Sequence, residues 1–427
     1  MGFLLAFLFI ACIALGVPIS FALGAISLTG IALLDGVPNM VVFTKMFNGL
    51  GSFTLLAVPL FILAANLMNE GSISSRLINV SSAFVGHLRG GLAHSNIIVS
   101  MIFAGISGSS QADTAGIGKV LIPAMVDQGY DKETAVGVTA ASSTLGSIIP
   151  PSIIMVVYAG VANVSTGVLF ITGILPGVLL GLAQMAVIFS ARARFPKGER
   201  LSVKEIARRT GQALPALVTP VLLIGGIVSG FFTPTEAAAV ACVYALLVSF
   251  FFYRSIKVKD LPRILIETMK LSSLSLFALA TACALGELLS YYRLNEAVQG
   301  FFTALPGGGV VFLLTVVVFF LFIGTFMDAV PAIILFTPIV LPAALALGIS
   351  PVILGLIIVI TLALGLVTPP YGLCLLLSAS IGGLSIERAF KGVLPYLLVS
   401  LAVLAVIVLF PDFFLAVPRH LFPKLFV

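Results

Sequence analysis

The feature that constrains this chain most is one turn design used twice. Gly105-Ile106-Ser107-Gly108-Ser109-Ser110-Gln111-Ala112-Asp113 and Gly324-Thr325-Phe326-Met327-Asp328 each set small or hydroxyl-bearing residues, closed by one aspartate, between apolar arms. The first pair of arms covers residues 93–106 and 115–127. At about 1.5 Å per residue such an arm reaches about two-thirds of a roughly 30 Å hydrocarbon core, so it cannot cross a bilayer alone. Residues 93–127 therefore read as a re-entrant helical hairpin, and residues 309–346 as a second. A proline follows each aspartate ten residues on, Pro123 and Pro338, and each half then carries a Pro-Pro pair, Pro150-Pro151 and Pro369-Pro370. Another proline comes 26 residues after each pair begins, at Pro176 and Pro395. These shared intervals mark an internal repeat, and interrupted apolar segments at matching places in two halves point to a transporter's binding site.

Composition agrees with a membrane protein. Hydrophobic residues make up 60% of the 427 positions and charged residues 9%, with a mean hydropathy of +1.23. A soluble domain of this size needs far more polar cover, so the fold class is an all-α polytopic membrane protein. The net charge of +6 lies in short clusters between apolar runs, which reads as membrane topology and not as a nucleic-acid surface. Cys12, Cys242, Cys283 and Cys374 fall inside apolar stretches without metal-ligand or disulfide spacing, so no transition metal is expected. Met1-Gly2-Phe3-Leu4-Leu5 lacks the basic start of a secretory signal and reads as a retained first span.

Taken in order, spans are expected at residues 3–16, 18–34 and 53–69, with a surface helix at 36–51 and an amphipathic interfacial arm at 72–92. After the first hairpin comes a broken span at 134–160, interrupted between Ser142 and Pro151, and a full span at 168–190. Residues 192–212 form a basic linker, with Arg192, Arg194, Lys197, Arg200, Lys204, Arg208 and Arg209. The linker divides a first repeat, residues 1–191, from a second, residues 213–427. The second repeat holds spans at 213–230, 233–253 and 271–290, an arm at 291–305, the hairpin, a broken span at 351–379 and a last span at 394–412. If the linker is cytoplasmic, the spans place the second hairpin's approach outside, and no Lys or Arg occurs from Leu294 to Glu387. The first hairpin then approaches from the cytoplasm, flanked by Arg76, Arg89 and Lys132. Hydropathy, charge and spacing thus read as an inverted repeat, with Arg419 and Lys424 as one weak exception.

Asp113 and Asp328 fall near the middle of the membrane, where an ionised carboxylate costs about 2.5–3.5 kcal/mol or more and usually has a partner or a task. A sodium ion is a hard cation that prefers oxygen, and the turns supply oxygens: Ser107, Ser109, Ser110 and Asp113 in one, Thr325 and Asp328 in the other. Unwound backbone from Ser142 to Gly146 and from Gly365 to Thr368, freed where Pro-Pro interrupts the helix, would add carbonyls. Each hairpin tip is expected to face its own half's broken helix. Alternatively, Asp113 pairs with Lys119 or caps the helix after its turn. Helix N-termini aimed at the membrane centre favour an anionic substrate, with Ser110, Gln111 and Thr368 as candidate contacts. Glu236, in Thr233-Pro234-Thr235-Glu236, reads as a helix cap.

Gly86-His87-Leu88-Arg89-Gly90-Gly91-Leu92-Ala93, followed by Gly105-Ile106-Ser107-Gly108-Ser109 and Ala112-Asp113, and preceded by Leu60-Phe61-Ile62-Leu63-Ala64, resembles the large membrane subunit of the tripartite ATP-independent periplasmic (TRAP) transporters. The resemblance covers essentially the whole chain. It implies sodium-driven import of an organic acid such as sialic acid or a C4-dicarboxylate. It also implies delivery by a soluble periplasmic binding protein, a separate small four-helix membrane subunit, an inner-membrane location, and an elevator mechanism with a scaffold and a transport domain. Carried onto matching positions, the sodium sites fall at Ser107, Ser109 and Asp113 with Ser143 at the break, and at Gly324, Thr325 and Asp328 with Thr368 at the break. Two other readings stand beside this one. A stand-alone carboxylate carrier would need no binding protein. An intramembrane protease would use Gly105-Ile106-Ser107-Gly108, but the available histidines are His87, His94 and His420, none in a later span.

Overall fold

The structure is a computed structural model that describes residues 7–9, 11–12, 15–34, 36–51, 56–198, 200–293, 296, 300 and 308–421. Half of the span expected at 3–16, most of the arm at 291–305 and Lys424 lie outside these residues. The described chain is helical. Its first group is α1 (Ile19–Ala32), α2 (Met40–Leu50), α3 (Ala57–Glu70) and α4 (Ile73–Val85). Then come α5 (Gly91–Ser107), α6 (Ser110–Asp127), α7 (Lys132–Ser143), α8 (Ile153–Ala162) and α9 (Thr166–Ser190). The second half has α10 (Val203–Val228), α11 (Pro234–Leu247), α12 (Leu261–Tyr291), α13 (Gly308–Gly324), α14 (Ala329–Ala346), α15 (Pro351–Gly365), α16 (Leu373–Gly382), α17 (Ile386–Leu409) and α18 (Pro411–Leu421). Among the described residues six helical stretches are long and apolar enough to cross a membrane, around α9, α10, α11, α12, α14 and α17; α14, an arm of the second expected hairpin, is thus longer than the short arm expected there, because its helix runs unbroken through Pro338 and Pro342.

Local chemistry explains the helix ends. The Thr233 hydroxyl accepts from Glu236 N at 3.3 Å while Glu236 Oε2 accepts from Thr233 N at 2.8 Å, a reciprocal cap that starts α11 with proline in its first turn. Three helices start well before hydropathy indicates, among them α17, which begins at Ile386 and not at 394. Residues 203–212 of the expected linker are the first turns of α10, because Ser202 caps Glu205 N and Glu205 pairs with Arg208 and Arg209, each at 2.8 Å. Such i,i+3 and i,i+4 pairs hold a polar helix outside the apolar zone. Likewise α12 begins at Leu261 and not 271, its first turns tied down by Arg263 bonding Glu70 at 2.6 Å and Glu267 at 3.3 Å. Helix α18, where no element is expected, carries an Asp412–Arg419 pair at 2.9 Å.

Each aspartate turn joins two helices. Only Gly108 and Ser109 separate α5 from α6, so helix resumes at Ser110 and not at 115. Gly108 has φ +61°, and a Cβ there would lie 2.7 Å from the Pro151 carbonyl oxygen, so both conformation and space require glycine. Residues 325–328 separate α13 from α14. The broken segments consist of α7, a 3-10 turn Thr144–Ser147 and α8 in one half, and α15 and α16 in the other. Each gap holds its Pro-Pro pair, with a cis bond at both.

Packing crosses between the halves. Helix α6 lies against α7 of its own half and against α16 of the other, while α14 lies against α15 and against α8. Helix α13 packs on α15, and α17 on α7 and α9. These elements share one apolar interior that includes Phe103, Tyr158, Phe320, Ile357 and Leu364. Around it, α12 packs on α1, α2 and α3, α11 on α3, and α10 on α4 and α5. Helix α10 turns Leu214, Val218 and Val221 outward and Ala216 and Leu223 inward, the pattern of a lipid-facing helix. Close crossings depend on glycine: a Cβ on Gly365 would sit 2.7 Å from Gly324 Cα, and one on Gly137 would collide with the Gly392 backbone. Gly137→Leu is therefore expected to lower stability by roughly 1–3 kcal/mol or more. Gly211→Ala, where the added methyl meets open space, is expected to stabilise by about 0.4–1 kcal/mol. Thermal unfolding in detergent measures both, and equal effects would contradict the crossing.

Candidate functional site

At the first tip, α5 ends in Ser107 and α6 begins at Ser110, which puts Asp113 in the first turn of α6. There the helix dipole favours its negative charge. Asp113 is 0% exposed. Ser107 Oγ donates to Asp113 Oδ1 at 2.7 Å, and Oδ2 has no hydrogen-bond partner among the described residues. Across from it is the 3-10 turn of the broken segment. A Cβ on Gly146 would lie 2.9 Å from Asp113 Oδ2, so glycine leaves the space beside that oxygen open. Ser109 caps α6, its Oγ accepting from Ala112 N at 3.4 Å. The cap alternative for Asp113 is thus filled by Ser109, and no ion pair joins Asp113 to Lys119 among the described residues. The tip and the break are also sewn together: Ile153 N donates to Gly108 O at 3.1 Å, and Ser110 Oγ lies 2.7 Å from Ser147 Oγ.

At the second tip Asp328 occupies the N-cap position of α14 with extended backbone. Tyr371 N, in the second break, donates to Thr325 O at 2.9 Å, the counterpart of the Ile153–Gly108 bond. Gly324 touches Gly365 where α13 crosses α15. The Thr325 hydroxyl donates to Phe322 O at 2.7 Å and the Thr368 hydroxyl to Leu364 O at 2.9 Å. No hydrogen bond joins either to Asp328 among the described residues. Asp328 is met instead from the other half, where Gln111 Nε2 donates to Asp328 Oδ1 at 3.2 Å.

The structure therefore gathers Ser107, Ser109, Ser110, Gln111 and Asp113 at one tip and carries Asp328 to its edge. Ser143 lies on α7 and donates to Ala140 O at 2.7 Å. Ser110, fully buried, faces the break. Several neighbours went unmarked in the sequence. Ser147 is among them, and so is Cys374, buried in the first turn of α16 where that helix packs on α6 and α7. A polar seam also ties α5 to α7: Asn96 Nδ2 donates to Thr139 Oγ1 at 2.6 Å, Ser142 Oγ to Asn96 Oδ1 at 3.2 Å, and Ser100 Oγ to Ser142 Oγ at 3.1 Å. The available signal was Asn96 and Ser100, one turn apart in an apolar arm.

The sequence profile of the family described as "Tripartite ATP-independent periplasmic transporter, DctM component" matches residues 6–413. The chain belongs to this family. It is 39% identical over 389 residues to a C4-dicarboxylate TRAP transporter large permease protein of Pseudomonas aeruginosa, with 91% of each chain covered. It is 36% identical over 409 residues to a sialic acid TRAP transporter large permease protein of Vibrio cholerae, with 95% of each covered. Its fold is similar to that of the YdaH transporter of Alcanivorax borkumensis, with a TM-score of 0.62 at 17% identity over 89% of this chain and 90% of that one.

As a DctM component the chain is a permease subunit of a TRAP transporter, a multi-pass inner-membrane protein, and not an enzyme. The protease reading is set aside on geometry as well. His94 and Ser107 lie thirteen positions apart on one helix, roughly 20 Å along its axis, and the Ser107 hydroxyl is bonded to Asp113. The Ser107–Asp113 pair gives a direct test. Ser107→Ala is expected to cost about 1–3 kcal/mol, because it leaves both carboxylate oxygens unpartnered. In an Asp113→Ala background the same change is expected to cost far less, and additive losses in thermal unfolding would contradict the pairing.

Proposed function

We propose that this chain is the sodium-driven permease of an organic-acid importer, working with a separate small four-helix membrane subunit and a soluble periplasmic binding protein. The observation that carries the reading is the sealed Asp113 carboxylate, one oxygen held by Ser107 and the other, beside Gly146, unpartnered among the described residues. A buried carboxylate in an apolar interior is costly unless a cation joins it. Those oxygens suit sodium: Asp113, the hydroxyls of Ser107 and Ser109, and the backbone released around Ser143 would hold one ion. Asp328, with Gly324 and Thr325 of its own turn and Thr368 at the break, would hold a second. Gln111 and Thr368 would then meet the substrate, with Ser110 bracing the tip against the break. A carboxylate substrate accords with the C4-dicarboxylate and sialic acid named for the relatives.

In this reading the hairpins are re-entrant, approach from opposite faces, and move with the broken helices as one transport domain against a scaffold of α1–α3 and α10–α12. The cross-packed interior supports that division. So does a fissure of about 420 Å³ between the two groups, with Lys45, Gly49 and Gly286 on one wall and Val161, Leu335 and Pro338 on the other. Sodium supplies the driving gradient and the positive charge that lets an anion settle between the tips.

Asp113→Ala and Asp328→Ala are each expected to weaken sodium-driven uptake at limiting sodium by at least about tenfold, while the protein stays monodisperse in detergent. Proteoliposomes holding both membrane subunits, supplied with loaded binding protein, provide the assay. Undiminished uptake in either variant would contradict the ion sites, and uptake by this chain without its partners would contradict the tripartite assignment.

A further inference from the structure

The side chain of Gln111 joins the two tips, its amide donating to Asp328 Oδ1 at 3.2 Å across 217 positions of sequence. Gln111 is half-buried in the first turn of α6, two residues before Asp113, while Asp328 begins α14 and is likewise half-buried. A glutamine amide offers two N–H donors and one carbonyl acceptor, and an ionised carboxylate only accepts. The amide therefore satisfies the carboxylate oxygen it meets, and an anion approaching the tips meets a negative group whose nearest donor is already engaged.

Resting on the sodium reading of Asp328 above, we infer that Gln111 is a substrate-contacting switch residue that makes binding of an organic carboxylate conditional on the cation. A sodium ion at Asp328 competes with the Gln111 N–H for the same carboxylate oxygen and repels the positive end of the amide dipole. The freed amide then presents its N–H groups to the gap between the tips, where a substrate carboxylate accepts them. Each ligand favours the same rearrangement, so each raises the affinity for the other, as linkage requires. No residue of the first half other than Gln111 is hydrogen-bonded to Asp328 among the described residues.

The test uses the full-length chain in detergent with sodium chloride as the probe and choline chloride holding ionic strength constant. Gln111→Met removes the competing donor at similar length. It is expected to tighten sodium binding by about two- to tenfold, the value of one net hydrogen bond, read by calorimetry or by sodium-dependent thermal shift. In the assembled transporter the same variant is expected to lose most of the sodium dependence of its KM for loaded binding protein. Gln111→Ala repeats both readings with a side chain that cannot strain the tip. A purely structural role would not move sodium affinity upward and coupling downward together. Unchanged or weaker sodium binding in both variants would overturn the inference. If Asp328→Asn binds sodium with the wild-type stoichiometry and affinity, the cation reading itself fails. If Asp328→Asn loses a site while the Gln111 variants behave as wild type, the role of Gln111 alone falls.

Discussion

The constraint on which the structure depends is that unwound backbone in an apolar interior must find partners, because no water is there to supply them. Both breaks are answered by a tip. Ile153 N donates to Gly108 O at 3.1 Å, and Tyr371 N donates to Thr325 O at 2.9 Å. Hairpin and break therefore complete each other, and neither could be built alone. Glycines let them meet: Gly108 under Pro151, Gly146 beside Asp113, Gly365 against Gly324. Helix α16 packing on α6, and α8 packing on α14, then bind the two such pairs into one body.

The two aspartates start from similar positions and end in different surroundings. Both sit at the start of a helix, where free N–H groups and the dipole favour negative charge. Asp113 is sealed at 0% exposure and held by a serine of its own turn. Asp328 is half-buried and held by a glutamine from the other half. The first arrangement is closed within its own half. The second is shared, because Gln111 of the first half and Asp328 of the second are joined directly.

Much of this was legible in the residues because the signals are local. Pro-Pro removes donors and excludes helix before it, and the chain leaves helix between Ser143 and Ile153 and between Gly365 and Leu373. Thr233 and Glu236 announce a cap by their spacing. Helix ends outside the apolar zone were less visible. Hydropathy falls where Glu205 meets Arg208 and Arg209, although ion pairing continues the helix there. Contacts between the halves were not legible at all. The bond from Gln111 to Asp328 and the packing of α16 on α6 depend on how short helices cross, and no periodicity records that.

The proposed arrangement requires the two hairpins to approach their meeting point from opposite sides of the membrane. Single cysteines replacing Gln128, just after α6, and Ala346, the last residue of α14, both exposed, can report this in a background cleared of the four native cysteines. A membrane-impermeant maleimide applied to right-side-out and inside-out vesicles is predicted to label position 128 only from the cytoplasmic side and position 346 only from the periplasmic side. Labelling of both positions from one and the same side would contradict it.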